Sequence, residues 1–264
     1  MFQLYKDLKI WYWVLIVIIA IPIAVYGAIS EKIEFILLAM IVPFFVVIGV
    51  CIVASKRIQE LNKIRENNCN IAQYYTALNE LRLNCKNAKN LNILNMNIAV
   101  AFLDMGRYSD AFNILMGINP ITFGKGAFGV KGRGVYYNNL SYAYIGLGDL
   151  ESAEKVLVNL KQCIDDPKLQ KMEKEKNLLF DIYTSKKVIL QIETGDFEGA
   201  EQILLMLLEK SRSNLWQVCT SYYLARVYLH KGDTEKAKRY IDFAMQYGGD
   251  TVYKSELAKM IQQN

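Results

Sequence analysis

The sequence predicts an all-α protein in which a two-helix transmembrane hairpin is followed by a solenoid of repeated helix pairs. Two observations lead to this fold class. Two long apolar runs without a charged residue lie before residue 55, and a short glycine-containing pattern recurs four times in the remainder. The predicted domains are a hairpin at 1–55, a helical linker with an N-terminal packing helix at 56–91, and a repeat domain with a C-terminal capping helix at 92–264.

The hairpin is predicted from residues 10–29 and 35–54, which contain no charged side chain. About 20 residues of α-helix extend roughly 30 Å, the thickness of a bilayer's hydrocarbon core. The five residues between the runs allow only a tight turn. Trp11, Tyr12 and Trp13 fit an aromatic belt at the membrane interface, and Pro22 and Pro43 are expected to kink the two helices.

The flanking charges predict the orientation of the hairpin. Positive charges precede the first run and follow the second, whereas the turn between them holds one lysine and two glutamates: Lys6, Lys9, Lys56, Arg57, Lys63 and Arg65 are the flanking cations. The positive-inside rule then predicts an integral membrane protein with two spans and both termini cytoplasmic, with the lipid bilayer as a partner. A cleaved signal peptide is the alternative for the first run, but the second run follows immediately.

Between the hairpin and the repeats, one helical face is apolar and predicts a packing helix. This apolar face consists of Ile71, Tyr74, Tyr75, Leu78 and Leu81. Residues 57–67 are expected to continue the second span as a helix. Residues 251–263 are expected to close the far end of the solenoid as a more polar helix.

The recurring pattern reads GRYSDA, GDLESA, GDFEGA and GDTEKA. Each glycine closes an apolar helical stretch, where a left-handed residue commonly ends a helix. An alanine follows five residues later, small enough for two helices to approach closely. The aspartates after three of the glycines are expected to cap the next helix. The glycines are Gly106, Gly148, Gly195 and Gly232, and the alanines are Ala111, Ala153, Ala200 and Ala237.

These segments resemble the tetratricopeptide repeat (TPR), a family of stacked helix pairs that bind proteins and peptides. The resemblance covers residues 92–249, although the glycines are spaced more widely than the family period of about 34 residues. It implies a concave groove lined by the first helix of each pair. The family's set of lysines, asparagines and arginine for a terminal carboxylate is not reproduced. The residues placed in the groove as partner-binding candidates are Asn138, Tyr142, Ser185, Tyr222 and Arg226.

A basic, glycine-rich insert at residues 122–134 leaves three interpretations open. Gly124, Gly126 and Gly129, followed by Val130, spell the GxGxxGxV of nucleotide-covering loops, but no strand pattern flanks them. The second interpretation is a loop that contacts lipid or a partner through its basic residues. The third is a loop with no function.

Composition excludes several classes of protein. A net charge of +5 is small for a nucleic-acid binder. Five scattered cysteines without a CxxC pair, and a single histidine, predict no disulfide framework, no metal site and no cofactor. The sequence therefore predicts a non-enzymatic, membrane-anchored scaffold that binds a protein or peptide. The alternatives are an accessory subunit of a membrane transport or secretion complex acting through its hairpin and, more remotely, a nucleotide-using enzyme acting through the insert. Self-association stays open.

Overall fold

The computed structural model describes residues 2–83, 85–86, 88–211 and 213–263. Many side chains of the first two helices, and those of Lys89 and Gln263, also lie outside the description. The described part of the chain is helical and contains no strand, which confirms the predicted all-α class.

Thirteen α-helices, one π-helical turn and one 3-10 turn follow one another along the described chain. They are α1 (Phe2–Ile29), α2 (Ile33–Asn62), the π-turn (Lys63–Asn67), α3 (Ile71–Leu83), α4 (Ala88–Asp104), α5 (Tyr108–Met116), the 3-10 turn (Pro120–Phe123), α6 (Ala127–Gly146), α7 (Leu150–Asp165), α8 (Pro167–Gln170), α9 (Glu173–Glu193), α10 (Ala200–Lys210), α11 (Asn214–His230), α12 (Thr234–Tyr247) and α13 (Val252–Gln263).

The prediction of two membrane spans is wrong. Within the described residues, no helix is both long enough and apolar enough to cross a membrane. A span needs about 20 consecutive apolar residues. The predicted integral-membrane localisation with cytoplasmic termini is therefore wrong too, and the bilayer is left without support as a partner.

The hairpin predictions can be followed only in part. α1 continues through Pro22, and Tyr26 packs edge-on against Phe35 across the turn to α2, with ring centroids 5.0 Å apart. The proposed aromatic belt at residues 11–13, the kink at Pro43 and the charges of Lys6, Lys9 and Arg57 concern side chains outside the described part of the chain.

Four tight turns connect the helix pairs α4–α5, α6–α7, α9–α10 and α11–α12. Each turn contains one of the recurring glycines in a left-handed conformation, with φ between +74° and +84°. The residue after each glycine donates its backbone N–H to the carbonyl five residues earlier, which satisfies a free carbonyl at the helix end. These bonds join Arg107 to Phe102, Asp149 to Tyr144, Asp196 to Gln191 and Asp233 to Tyr228.

The repeat alanines are fully buried between the paired helices. The aspartate caps differ from pair to pair. Asp149 accepts a hydrogen bond from the Ser152 N–H and Asp233 from the Lys236 N–H, so each caps its helix. Asp196 instead accepts from the Glu198 N–H at 2.9 Å, and α10 begins only after the left-handed Gly199. The third pair therefore has a longer connection than the sequence pattern predicts.

The two ends of the repeat region contact each other. The Asp250 carboxylate accepts hydrogen bonds from the Ile71 and Ala72 N–H groups, at 2.5 and 2.8 Å, at the start of α3. Its own N–H donates to the Cys69 carbonyl at 3.1 Å. Asn214, at the start of α11, donates to the Asn67 carbonyl at 2.6 Å. The stacked helix pairs are thus closed head to tail around an interior.

Candidate functional site

The closed interior holds a cavity of about 350 Å³, which we call the interior cavity. Its volume lies at the lower end of the range for small-molecule sites. The π-turn and helices α4, α6, α9, α11 and α13 all contribute to its wall. The wall includes Arg65, Glu66, Asn97, Val100, Leu103, Asp104, Val135, Asn138, Asn139, Tyr142, Leu178, Ile182, Ser185, Lys186, Ser213, Leu215, Trp216, Cys219 and Tyr253.

A buried ion pair lies on one side of the interior cavity. Arg65 Nε donates to Asp104 Oδ2 at 2.8 Å, and the Asp104 side chain is 7% exposed. Burial raises the pKa of the Asp104 carboxyl, and the neighbouring Arg65 charge opposes that rise. Burial alone would lower the pKa of Arg65, but the Asp104 charge raises it above its usual value. Glu66 lies 3.7 Å from Arg65 and is 45% exposed.

A second cation in the interior cavity is not paired in this way. Lys186 Nζ lies 3.8 Å from the centroid of the Tyr142 ring, a cation–π distance. Among the described residues, its electrostatic neighbours Cys219 and Asp104 form no hydrogen bond with this ammonium. Burial lowers the pKa of the Lys186 amine and the Arg65 charge lowers it further, whereas Cys219 and Asp104 act in the opposite direction. Lys186 is thus a partly exposed cation at the cavity wall, with the Cys219 thiol and the Asp104 carboxylate near enough to act on its charge.

Two neighbouring asparagines add incomplete hydrogen bonding to the same wall. Asn138 Nδ2 donates to Asn139 Oδ1 at 2.9 Å. Asn138 Oδ1 and Asn139 Nδ2 are buried and have no partner within the described chain. Asn139 is only 4% exposed, so bulk water does not readily satisfy its free N–H groups. One acceptor and one donor are thus left without a partner behind the cavity surface.

The candidate groove residues predicted from the sequence separate into three positions. Asn138, Tyr142 and Ser185 line the interior cavity. Tyr222 lines a second cavity of about 430 Å³, to which Tyr142 also contributes. Arg226 lines neither cavity, and its guanidinium forms a two-pronged ion pair with Glu193.

Burial limits what the tyrosines of this set can contact. Tyr142 is 5% exposed and Tyr222 is 9% exposed. The Tyr142 and Tyr253 hydroxyls are 2.7 Å apart and lie between the two cavities. Burial raises the pKa of both phenols well above the usual value. Tyr142 of α6 is therefore buried against Tyr253 of α13. The role of the five residues in partner binding stays a prediction.

Sequence reasoning missed the residues that give the interior cavity its charge. Arg65 was assigned to the flank of a membrane span, and neither Asp104 nor Lys186 was singled out. One signal was available for Asp104, which follows the apolar run AVAFL at the end of α4. An acidic residue on an otherwise buried face indicates a paired or functional carboxylate.

The glycine-rich insert folds onto α6. Gly126 caps that helix and Gly129 lies inside it, so the motif is mainly helical. A β-carbon at Gly129 would lie 2.1 Å from the Gly124 carbonyl oxygen, which shows that these glycines allow close packing of the insert. Arg133 donates to the same carbonyl at 2.6 Å. The strand context of a nucleotide-covering loop does not occur in the described chain.

Metal-binding chemistry has no obvious site in the described residues, where no group of three or more histidine, cysteine, aspartate or glutamate side chains is placed to hold an ion. Cys69, Cys85, Cys163 and Cys219 form no disulfide bond, and the side chain of Cys51 lies outside the described part of the chain.

Comparison with known proteins relates the repeat region to one family. A family model described as the SusR N-terminal TPR domain matches residues 56–246. No curated protein sequence and no solved structure matches the chain. The matched range begins in the last turns of α2 and ends in α12, so it contains all four helix pairs.

Proposed function

We propose, from the premise that this chain belongs to the family of SusR N-terminal TPR domains, that it is a scaffold for protein–protein interaction. The match confirms the resemblance predicted from the four glycine turns. Stacked helix pairs present an extended surface, which suits binding of proteins better than chemistry. Binding of proteins is therefore the function that the family suggests. The position of the surface that contacts the partner is our own proposal.

We place the contact with the partner at the mouth of the interior cavity. The observation that carries this is the exposure of Leu178, which lines the cavity and is 39% exposed. The cavity therefore reaches the protein surface along α9. Asn138 and Ser185 line the same cavity from α6 and α9, the first helices of two pairs. A segment of a partner protein lying across this mouth would contact Leu178 and lie above the polar side chains of Asn138 and Ser185.

The experiment compares two exposed apolar residues on α9. The full chain carrying Leu178→Glu or Phe180→Glu is purified from its native cells after mild crosslinking, next to the wild type. Phe180 is 47% exposed and is not part of the cavity wall. A protein that co-purifies stoichiometrically with the wild type and the Phe180→Glu chain, but not with Leu178→Glu, supports contact at the mouth. Equal retention by all three chains contradicts it.

Neither competing function has an observation in its favour. An accessory subunit acting through a transmembrane hairpin requires spans that the described helices do not provide. A nucleotide-using enzyme requires a glycine-rich loop between strands, and Gly129 lies within α6.

A further inference from the structure

We propose that the second cavity binds a small organic ammonium ion, with the Glu256 carboxylate as its counter-ion and tyrosine rings as its walls. This cavity, which we call the tyrosine cavity, has a volume of about 430 Å³, and Leu178 is not part of its wall. A ligand held there goes beyond the proposed protein partner, which we place at the mouth of the interior cavity. The tyrosines that line it are Tyr108, Tyr142, Tyr222, Tyr223 and Tyr253.

The phenol rings of the tyrosine cavity are clustered. The ring centroid of Tyr222 lies 4.8 Å from that of Tyr223 and 5.7 Å from that of Tyr253. The rings of Tyr108 and Tyr142 are 6.0 Å apart. An aromatic face carries partial negative charge and attracts a cation within about 6 Å, and several rings around one space are typical of sites that recognise ammonium groups.

A cation of the chain itself already lies beside two of these rings. The Arg226 guanidinium carbon is 5.6 Å from the ring centroid of Tyr222 and 5.5 Å from that of Tyr223, although Arg226 does not line the cavity. Its charge is balanced by Glu193, which accepts a hydrogen bond from Arg226 Nη2 at 3.1 Å. Glu193 is therefore occupied, and a second cation inside the cavity needs another carboxylate.

Glu256 supplies that carboxylate. Its Oε1 pairs with Lys259 Nζ at 2.7 Å, and the two side chains are 38% and 63% exposed. A pair this exposed contributes little free energy, so Lys259 can turn into solvent when a ligand binds. Burial raises the pKa of the Tyr108 and Tyr222 phenols, and the Glu256 charge raises both further. A cation beside Glu256 would therefore also face these two rings.

Tyr223 offers an acceptor for an N–H group of the ligand. This residue is only 3% exposed, and its hydroxyl forms no hydrogen bond with another described residue. Unlike the amide atoms Asn138 Oδ1 and Asn139 Nδ2, the hydroxyl oxygen keeps some accessible surface. A phenol oxygen accepts a hydrogen bond from an ammonium N–H. The ligand is therefore an ammonium that retains N–H groups, and not a quaternary one.

Thermal unfolding of the full chain with amines and their uncharged derivatives tests the proposal. The probes are butylamine, cyclohexylamine, benzylamine and phenethylamine, each compared with its own N-acetyl derivative in phosphate buffer at constant ionic strength. A primary amine is protonated at about pH 7, as a lysine side chain is, whereas the N-acetyl derivative carries no charge. At least one amine should raise Tm by about 2–4 °C at roughly ten times its Kd, with saturation, and its N-acetyl derivative should have no comparable effect.

Two exposed lysine–glutamate pairs provide matched variants. Glu256→Gln keeps the shape of the side chain but removes its charge, and should weaken amine binding by about tenfold or more. Glu151→Gln removes the same charge from the exposed pair with Lys155 on α7, outside both cavities, and should leave the shift unchanged. Tyr223→Phe keeps the ring but removes the acceptor, and should weaken binding by roughly three- to tenfold.

The proposal is overturned if no amine exceeds its N-acetyl derivative, or if the shift survives at full affinity in Glu256→Gln. Equal losses in Glu256→Gln and Glu151→Gln would show that the amines respond to the overall surface charge, and would also overturn it. No protein partner is present in this experiment, so its failure leaves the scaffold function untouched.

Discussion

The inter-helix turns and the interior cavity are built in different ways. Every turn is formed by residues within about six positions of its glycine, as in the Asp149–Tyr144 and Asp233–Tyr228 backbone bonds. The cavity wall combines Arg65, Asp104, Lys186 and Tyr253, which come from four separate elements. The turns therefore depend on local backbone conformation, and the cavity depends on contacts between distant parts of the chain.

The largest expected effect comes from breaking the buried ion pair of the cavity. Asp104→Ala should lower the free energy of unfolding by about 3 kcal/mol, because it leaves Arg65 buried without its partner and removes the anion that acts on Lys186. Replacing both partners, Arg65→Met with Asp104→Leu, should recover most of that loss. Urea denaturation monitored by circular dichroism measures both.

The control for this effect is another arginine–aspartate pair. Arg107 and Asp110 lie 2.7 Å apart and are each about half exposed, at 52% and 48%. Asp110→Ala should therefore change the free energy of unfolding by less than about 1 kcal/mol. Equal losses for Asp104→Ala and Asp110→Ala would show that the cavity pair is not desolvated in solution.

The next effect concerns the head-to-tail closure that creates the cavity. Asp250→Ala should lower the free energy of unfolding by about 2 kcal/mol, since it removes the acceptor for the Ile71 and Ala72 N–H groups at the start of α3. Asp242→Ala, at an exposed position on α12, serves as the control in the same denaturation experiment and should have little effect.

A smaller effect is expected in the turns, where the cause is backbone conformation alone. Gly148 has φ of +79° and open space around a β-carbon, so Gly148→Ala should lower the free energy of unfolding by about 1 kcal/mol. Gly126 also has open space but lies at φ of −79°, which any residue adopts. Gly126→Ala should thus be neutral. Chemical denaturation of both variants measures the effect of backbone strain at Gly148, because neither added β-carbon would meet a neighbouring atom.

The smallest effect is a pH dependence in the cavity. The pKa of Lys186 in the folded chain lies below its ordinary value of 10.5, so the unfolded chain binds this proton more tightly. The stability of the wild type relative to Lys186→Met should therefore rise as the pH increases towards 10.5, the ordinary pKa of a lysine. The other titrating groups nearby, Asp104, Cys219 and Tyr142, are common to both chains. A parallel pH profile for the two chains would show that Lys186 is solvated.

The same contrast explains how much could be predicted from the sequence. Each repeat glycine lies at a helix end with positive φ, and its local pattern is visible along the chain. The cavity was beyond prediction, because nothing in the sequence relates Asp250 to α3 or Asp104 to the π-turn. Even locally, the onset of α10 at Ala200 departs from the pattern, since Gly199 rather than Asp196 precedes the helix.

The prediction of two membrane spans within residues 1–55 failed for a different reason, although both runs are helical. Hydropathy alone was taken to define two spans, whereas the described helices α1 and α2 do not meet the length and apolarity of a span. The family match begins at residue 56 and so includes only the last part of α2.

Hydrogen exchange at the start of α3 tests the head-to-tail closure of the helix pairs most directly. The first amides of a helix have no acceptor within the helix, so any protection of the Ile71 and Ala72 N–H groups reports on Asp250. If the Asp250 carboxylate closes the helix pairs head to tail, both amides exchange slowly in the wild type and in Asp242→Ala. Both then exchange fast in Asp250→Ala. Fast exchange of both amides in the folded wild type would contradict the closure, and with it the interior cavity.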